Sequence, residues 1–166
     1  VDVALMNKKS QGWLETLFLW GQSRQKLEGE KLYSSAIRLA RQSVFYKRYE
    51  VQDTVDGRFD ALSLIVILVM RRLRGCGQEG KQISQQLFDS MFADMDLSLR
   101  EMGAGDIGVS KRVRIMAEAF MGRLDVYVDA LDNNNKEELA NALRRNLFRG
   151  DILIDPLKNG VVDYVF

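Results

Sequence analysis

Two long stretches of regularly spaced apolar residues constrain the fold of this chain more than any other feature. The first ends at Met102 and the second begins at Val113, and both repeat in steps of three and four residues, as one face of an α-helix does. The first stretch comprises Ile83, Leu87, Phe88, Met91, Met95, Leu99 and Met102. The second comprises Val113, Met116, Ala117, Phe120, Leu124, Val128 and Leu131. This spacing predicts two long helices, with Gly103 ending the first and Ser110 capping the second.

The remaining segments also favour helices. The chain contains a single proline, Pro156, which argues against a loop-rich β fold. Helical spacing recurs over residues 32–44, and the apolar run 61–70 is too short to span a bilayer, so it predicts a buried helix. A helix capped by Asn135 follows the turn 132–135, and Asp155-Pro156 predicts the start of a short last helix. Only residues 152–154 offer a weak strand pattern.

These patterns predict an all-α protein: a single compact domain of about six or seven helices, not a symmetric bundle. At 166 residues the chain is long enough to bury a core. We expect residues 1–5 to be a vector-derived remnant that precedes the native start at Met6. We expect residues 6–27 to be an N-terminal aromatic amphipathic segment and residues 28–166 to be the helical domain.

Composition excludes several classes of function. The chain has no histidine, and therefore lacks the commonest general base and metal ligand. Its one cysteine, Cys76, cannot form an intramolecular disulfide, which fits a reducing compartment. The net charge of +1 gives no global attraction to DNA. We predict no enzymatic activity, no cofactor and no metal.

One apparent nucleotide motif is better explained by local structure. Gly103, Gly105 and Gly108 match the GxGxxG pattern, but dinucleotide sites need a strand before the glycines and a helix is predicted here. The glycines instead predict a tight turn with positive φ between two helices. An alternative is a modest anion site at the start of the next helix, where basic residues lie.

Asp89, Asp94 and Asp96 lie close together in the sequence, and such a group of carboxylates is one possible pattern for a metal site. Asp89 and Asp96 lie on one helix face and Asp94 points away, so the three cannot converge. We predict a solvated acidic face, with Asp96 and Arg100 spaced for an ion pair.

Two surface features leave alternatives open. The basic runs 71–74 and 111–114 complement helix termini or contact lipid phosphates or ribosomal RNA. Trp13, Phe18 and Trp20 mark a short amphipathic segment that either contacts a membrane interface or docks on the body or a neighbouring molecule.

Two sequence blocks resemble the ubiquinol–cytochrome c chaperone family. The first is Asp53-Thr54-Val55-Asp56-Gly57-Arg58-Phe59-Asp60, and the second runs from Leu87 to Arg123. The second block contains Leu99-Arg100-Glu101-Met102-Gly103, Gly105-Asp106, Gly108-Val109 and Lys111-Arg112-Val113. The absence of a mitochondrial targeting stretch indicates a bacterial member, of the alphaproteobacterial type.

The resemblance implies an assembly factor that binds newly made cytochrome b and assists biogenesis of the bc1 complex. We hypothesise that a groove between the two long helices, together with the N-terminal aromatic segment, binds the client, at Phe88, Met91, Phe92, Met95, Leu99, Met102, Met116 and Phe120. The turn and charged residues of the family pattern are Arg58, Phe59, Asp60, Asp89, Asp94, Arg100, Gly103, Gly105, Asp106, Gly108, Lys111 and Arg112.

The expected location is cytoplasmic, with peripheral attachment to the cytoplasmic face of the inner membrane as an option. The expected partners are cytochrome b and, as options, a membrane surface, a ribosome and a small partner protein. The alternatives are a membrane or ribosome adaptor without a client, and a helical lipid- or isoprenoid-processing enzyme.

Overall fold

A computed structural model describes residues 24–103 and 105–166. Trp13, Phe18 and Trp20 lie outside the described residues, as do residues 1–5, and the predictions made for them remain predictions. The described residues form seven α-helical segments and no strand. The predicted all-α fold is therefore confirmed.

The helical segments follow one another with short connections. They are α1 (24–40), α2 (Ser43–Lys47), α3 (Val55–Leu73), α4 (Gly77–Glu101), α5 (Asp106–Asp132), α6 (Lys136–Asn146) and α7 (Val161–Val165). A short 3-10 helix, Arg74–Cys76, joins α3 to α4.

The central helix α3 begins and is buried for reasons that the sequence shows. The Thr54 side chain accepts a hydrogen bond from the Gly57 N–H and so caps the helix. Residues 61–67 are all buried, as the apolar run predicted. Gly75 lies inside the 3-10 turn that follows α3, and the positive φ of 62° falls on Gly77. Within the described part of the chain, no helix is both long and apolar enough to cross a bilayer.

The two long helices α4 and α5 confirm the two apolar stretches. An aromatic cluster joins them: the Phe88 ring centroid lies 4.6 Å from Phe92 and 5.5 Å from Phe120. The expected Ser110 cap is wrong, since the N-cap is Gly105, five residues earlier, and α5 begins at Asp106. An acidic residue in the first turn favours this earlier start, because it complements the helix dipole.

The C-terminal helices complete the core. The Asn135 side chain accepts a hydrogen bond from the Glu138 N–H, as predicted. The expected start of the last helix at Asp155-Pro156 is wrong, because α7 begins at Val161. Gly160 precedes it with φ 88°, and the Asn159 side chain accepts a hydrogen bond from the Val161 N–H. Residues 152–154 form no strand.

Candidate functional site

The α4–α5 cavity is a hollow of about 780 Å³ between the first half of α4, the second half of α5 and the end of α3. It is partly open to solvent. Its lining residues are Met70, Arg71, Arg74, Lys81, Ser84, Gln85, Phe88, Met121, Leu124, Asp125, Val128, Asp129, Asp132 and Asn133. Its volume falls within the range of about 300–1,000 Å³ that is typical of ligand sites.

The lining of the α4–α5 cavity divides by chemistry into an apolar set of residues, called the floor, and a charged set, called the rim. The apolar lining residues are Met70, Phe88, Met121, Leu124 and Val128. The charged lining residues are Arg71, Arg74, Lys81, Asp125, Asp129 and Asp132. Such a hollow suits a ligand with large apolar side chains and polar ends, because apolar surface leaves water while charges stay hydrated.

Ion pairs join the far end of α5 to the end of α3 across this rim. Asp132 accepts hydrogen bonds from Arg71 Nε at 2.8 Å and from Arg74 Nη2 at 3.0 Å. The hydrogen bond from Arg71 is the main cause that lowers the pKa of Asp132. Two of the three arginines in the first basic run are therefore engaged within the fold.

A second hollow, the α1–α4 pocket, lies where the end of α1 meets the start of α3 and the end of α4. Its volume is about 230 Å³. It collects five of the predicted site residues: Arg58, Phe59, Asp94, Met95 and Met102. This volume accommodates one or two side chains, and a longer apolar segment requires more room.

Asp94 fixes α1 at the side of this pocket. Tyr33 on α1 donates a hydrogen bond of 2.6 Å to the Asp94 carboxylate. Burial, followed by this hydrogen bond, raises the pKa of Tyr33 well above its usual range. Tyr33 therefore remains a neutral donor at any physiological pH.

The eight residues predicted to bind a client do not form one surface. Phe88 lines the α4–α5 cavity, and Met95 and Met102 line the α1–α4 pocket. Met91, Phe92, Leu99 and Phe120 are buried in the body, and Met116 is half-buried against the core. Helical periodicity identifies the apolar face of a helix, but it does not show whether that face is buried in the core or lines a groove. A client role for the four buried residues requires the helices to separate.

A buried charge cluster gathers residues that the sequence scatters. Asp60 on α3 is 1% exposed and accepts hydrogen bonds from Arg123 at 2.8 Å and from Arg149 at 2.9 Å. Burial raises the pKa of Asp60 to about 6, although both arginines act to lower it. Arg149 was not foreseen, since no sequence pattern links it to α3. Arg149 also lies 3.5 Å from Asp56, which Arg112 approaches to 3.7 Å.

The turn between α4 and α5 uses its glycines unequally. Gly103 has φ 87°, whereas Gly105 has φ −70° and Gly108 lies within α5. The expectation of positive φ thus holds for Gly103 alone. Arg100 donates hydrogen bonds to Asp96, at 2.6 Å, and to Asp106, which ties the end of α4 to the start of α5.

The other residues of the predicted site are solvent-facing. Asp89 accepts a hydrogen bond from Gln85, and Lys111 is exposed. A helix precedes the GxGxxG pattern, so the geometry of a dinucleotide site is missing at this turn. Among the described residues, no group of three or more acidic or cysteine side chains could hold a metal ion.

The comparison with known proteins decides the family. The family model for the ubiquinol-cytochrome C chaperone matches residues 47–165 of this chain. The chain belongs to this family. The sequence resemblance is thereby confirmed, and the match includes the whole lining of the α4–α5 cavity.

Two relatives extend this result. The crystal structure of the Cbp3 homolog from Brucella abortus superposes with a TM-score of 0.77 and 36% sequence identity, over 92% of this chain and 83% of that chain. The ubiquinol-cytochrome-c reductase complex assembly factor 1 of Xenopus laevis is 24% identical over 122 residues. That match covers 74% of this chain and 60% of the relative's length. The higher identity to the Brucella protein agrees with the predicted bacterial type.

Proposed function

We propose that this ubiquinol–cytochrome c chaperone holds an apolar segment of newly made cytochrome b in the α4–α5 cavity during assembly of the bc1 complex. The observation that carries this proposal is the apolar floor formed by Met121, Leu124 and Val128 within a charged rim. A membrane-spanning segment outside the bilayer must cover its apolar side chains. Each 100 Å² of apolar surface that is buried contributes about 2.5 kcal/mol.

The charged rim suits the ends of such a segment. Lys81 on α4 and Asp125 on α5 both line the cavity, one from each helix. Charged or polar residues that flank a membrane span would meet this rim while the span's apolar residues enter the hollow. The chain acts as a binder in this scheme, and we propose no catalytic step.

Two contrasting classes of function are less well supported. A ribosome or membrane adaptor would use the basic runs, but Arg71 and Arg74 contact Asp132, and Arg112 lies near Asp56. A lipid-processing enzyme with a metal site would need converging carboxylates. Asp89 and Asp94 sit apart, in different hydrogen bonds with Gln85 and Tyr33.

Site-specific photo-crosslinking tests the proposal. A photoreactive residue replaces Met121, which is 46% exposed and lines the cavity. The matched control replaces Ile115, which is 51% exposed on the same helix and outside the cavity. In bacterial membranes that are making cytochrome b, we expect a cytochrome b crosslink from position 121 and none from position 115. Equal crosslinking from both positions, or from neither, would contradict the cavity assignment.

Salt dependence separates this proposal from the adaptor. Apolar contact changes little with ionic strength, so cytochrome b capture should survive moderate salt. Steep loss of binding with salt, and loss when Arg72 and Lys111 are neutralised, would favour the adaptor instead. We propose a cytoplasmic location, with peripheral attachment to the cytoplasmic face of the inner membrane as an option.

A further inference from the structure

Helix α1 runs alongside α4 in the same direction. Gly29 packs so closely that a Cβ atom there would lie 2.5 Å from the Cβ of Gln86. Four residues later, Tyr33 hydrogen-bonds Asp94, and Ile37 and Ala40 share the α1–α4 pocket with residues 94–102. Later residues of α1 therefore contact later residues of α4, and the two helices are parallel. At 1.5 Å per residue, residue 24 lies about level with Lys81 along the helix axes. Lys81 is one of the rim residues of the α4–α5 cavity.

The chain that precedes α1 thus joins the body at the level of this cavity. Residues 21–23, Gly-Gln-Ser, separate Trp20 from the first described residue. Three extended residues span up to about 10 Å, which is about the width of a helix. Connections of this length join antiparallel helices, so residues 13–20 can reach back over α4 towards residues 81–88.

The composition of residues 13–20 matches the cavity. Trp13, Leu14, Leu17, Phe18 and Trp20 lie on one side of a helical wheel. Glu15 lies on the other side, and Lys8 and Lys9 precede the segment. The floor offers Phe88, Met121 and Leu124, and the rim offers Lys81 for the acid and Asp125 and Asp129 for the lysines. The segment and the cavity are therefore complementary in apolar character and in charge.

We propose that residues 13–20 of the same chain occupy the α4–α5 cavity when no client is bound, and that a client displaces them. The regulatory half of this inference rests on the proposed function of the cavity, whereas docking of the segment does not. Self-docking would keep the apolar floor and both tryptophans out of water until an apolar client competes for the same site.

Tryptophan fluorescence tests docking directly, because Trp13 and Trp20 are the only two tryptophans in the chain. In the full chain we expect blue-shifted emission and protection from acrylamide quenching, relative to the chain in denaturant. Met121→Glu should shift the emission to the red and restore quenching, because a charge would enter the apolar floor. Ile115→Glu, the matched control on α5, should leave both readouts unchanged.

The side chain of Met121 is 46% exposed, so its substitution should leave the fold intact, and far-UV circular dichroism checks this. Leu124→Glu supplies a second variant at the floor. Water-like emission from the unaltered chain would overturn the proposal. Blue-shifted emission that stays the same in both cavity variants would indicate contact with another surface. That result would also overturn the proposal.

A label on Cys76 provides an independent readout of the segment's position. Cys76 is exposed in the 3-10 turn between the rim residues Arg74 and Lys81, and no other cysteine competes for the label. A bimane at this position is quenched by a tryptophan in contact range, and Trp13→Phe with Trp20→Phe should relieve that quenching. Quenching that rises with protein concentration would show docking between two copies and would overturn the intramolecular proposal.

A peptide from a membrane span of cytochrome b distinguishes failure of docking from failure of the proposed function. Displacement predicts red-shifted tryptophan emission as the peptide binds, and tighter peptide binding in the Trp13→Gln, Trp20→Gln variant. Docked tryptophans that no such peptide displaces would reject the regulatory half and the client site while leaving docking intact. Peptide binding by a chain with water-like emission would reject docking while the client site stands.

Discussion

Arg123 on α5 donates a 2.8 Å hydrogen bond to the buried carboxylate of Asp60 on α3, across 63 positions of sequence. Arg149, from the segment that follows α6, reaches the other carboxylate oxygen. One side chain thus holds three parts of the fold together. Breaking such a pair from one side leaves an uncompensated buried charge.

Asp60 should make stability depend on pH. Its pKa in the folded state is about 6, above its ordinary value, so the folded state holds this proton more tightly than the unfolded chain does. Its contribution is fully present below about pH 4 and declines as the pH rises towards 6. We expect the difference in unfolding free energy between the unaltered protein and Asp60→Asn to fall by about 3 kcal/mol from pH 4 to 7. Chemical denaturation of both proteins measures it, and a constant difference would contradict the raised pKa.

Tyr33→Phe should weaken the attachment of α1. The hydroxyl group of Tyr33 is lost, and with it the hydrogen bond to the charged, half-buried Asp94. Hydrogen bonds to charged groups contribute about 1.5–3 kcal/mol, and we expect a loss of that size in denaturant unfolding. Tyr164→Phe is the control, since Tyr164 is 40% exposed. An equal effect of both substitutions would argue against the role of this hydrogen bond.

The glycines of the GxGxxG pattern should respond in opposite directions to alanine. Gly103→Ala forces a Cβ atom into a backbone with φ 87° and should destabilise the protein by about 1 kcal/mol. Gly108 is helical, and a Cβ atom there would meet nothing within 4 Å. Gly108→Ala should therefore stabilise the protein by about 0.5 kcal/mol. Thermal unfolding of the two variants checks the signs, and equal losses would contradict the difference in backbone conformation between Gly103 and Gly108.

Phe120 and Met102 are both predicted to bind a client, yet their substitution by alanine should change stability to very different extents. Phe120 is 0% exposed and packs edge-on against Phe88 and Phe92, so Phe120→Ala should cost about 3–5 kcal/mol. Met102 is 57% exposed, and Met102→Ala should change stability by less than about 0.5 kcal/mol. Urea unfolding compares them directly. Similar costs would mean that the two residues occupy similar environments.

The helices could be predicted from the sequence because their signals are local. Apolar steps of three and four residues predicted α4 and α5, and the side chain of Asn135 marked the start of α6. The start of α5 was misplaced because Ser110 is a cap by type, whereas the chain turns at Gly103 and becomes helical again at Asp106.

The candidate site depends on where packed helices leave a gap between them, and local sequence patterns do not encode the position of such a gap. Met121 and Phe120 are neighbours in sequence, yet one lines the α4–α5 cavity and the other fills the core. Arg149 lies 89 positions from Asp60, and only packing brings the two together. The residues predicted to bind a client therefore lie on α4 and α5 but in three different environments.

The half of α5 that walls the α4–α5 cavity is fastened to α3 at both ends, through Arg123 to Asp60 and through Asp132 to Arg71 and Arg74. The facing half of α4 begins at Gly77, whose φ is 62°, directly after the 3-10 turn. This half is held by packing instead, since Gly29 of α1 lies against Gln86 and the Phe88 ring contacts Phe120. A wider hollow would therefore require α1 and α4 to move together, while α5 keeps its place against α3.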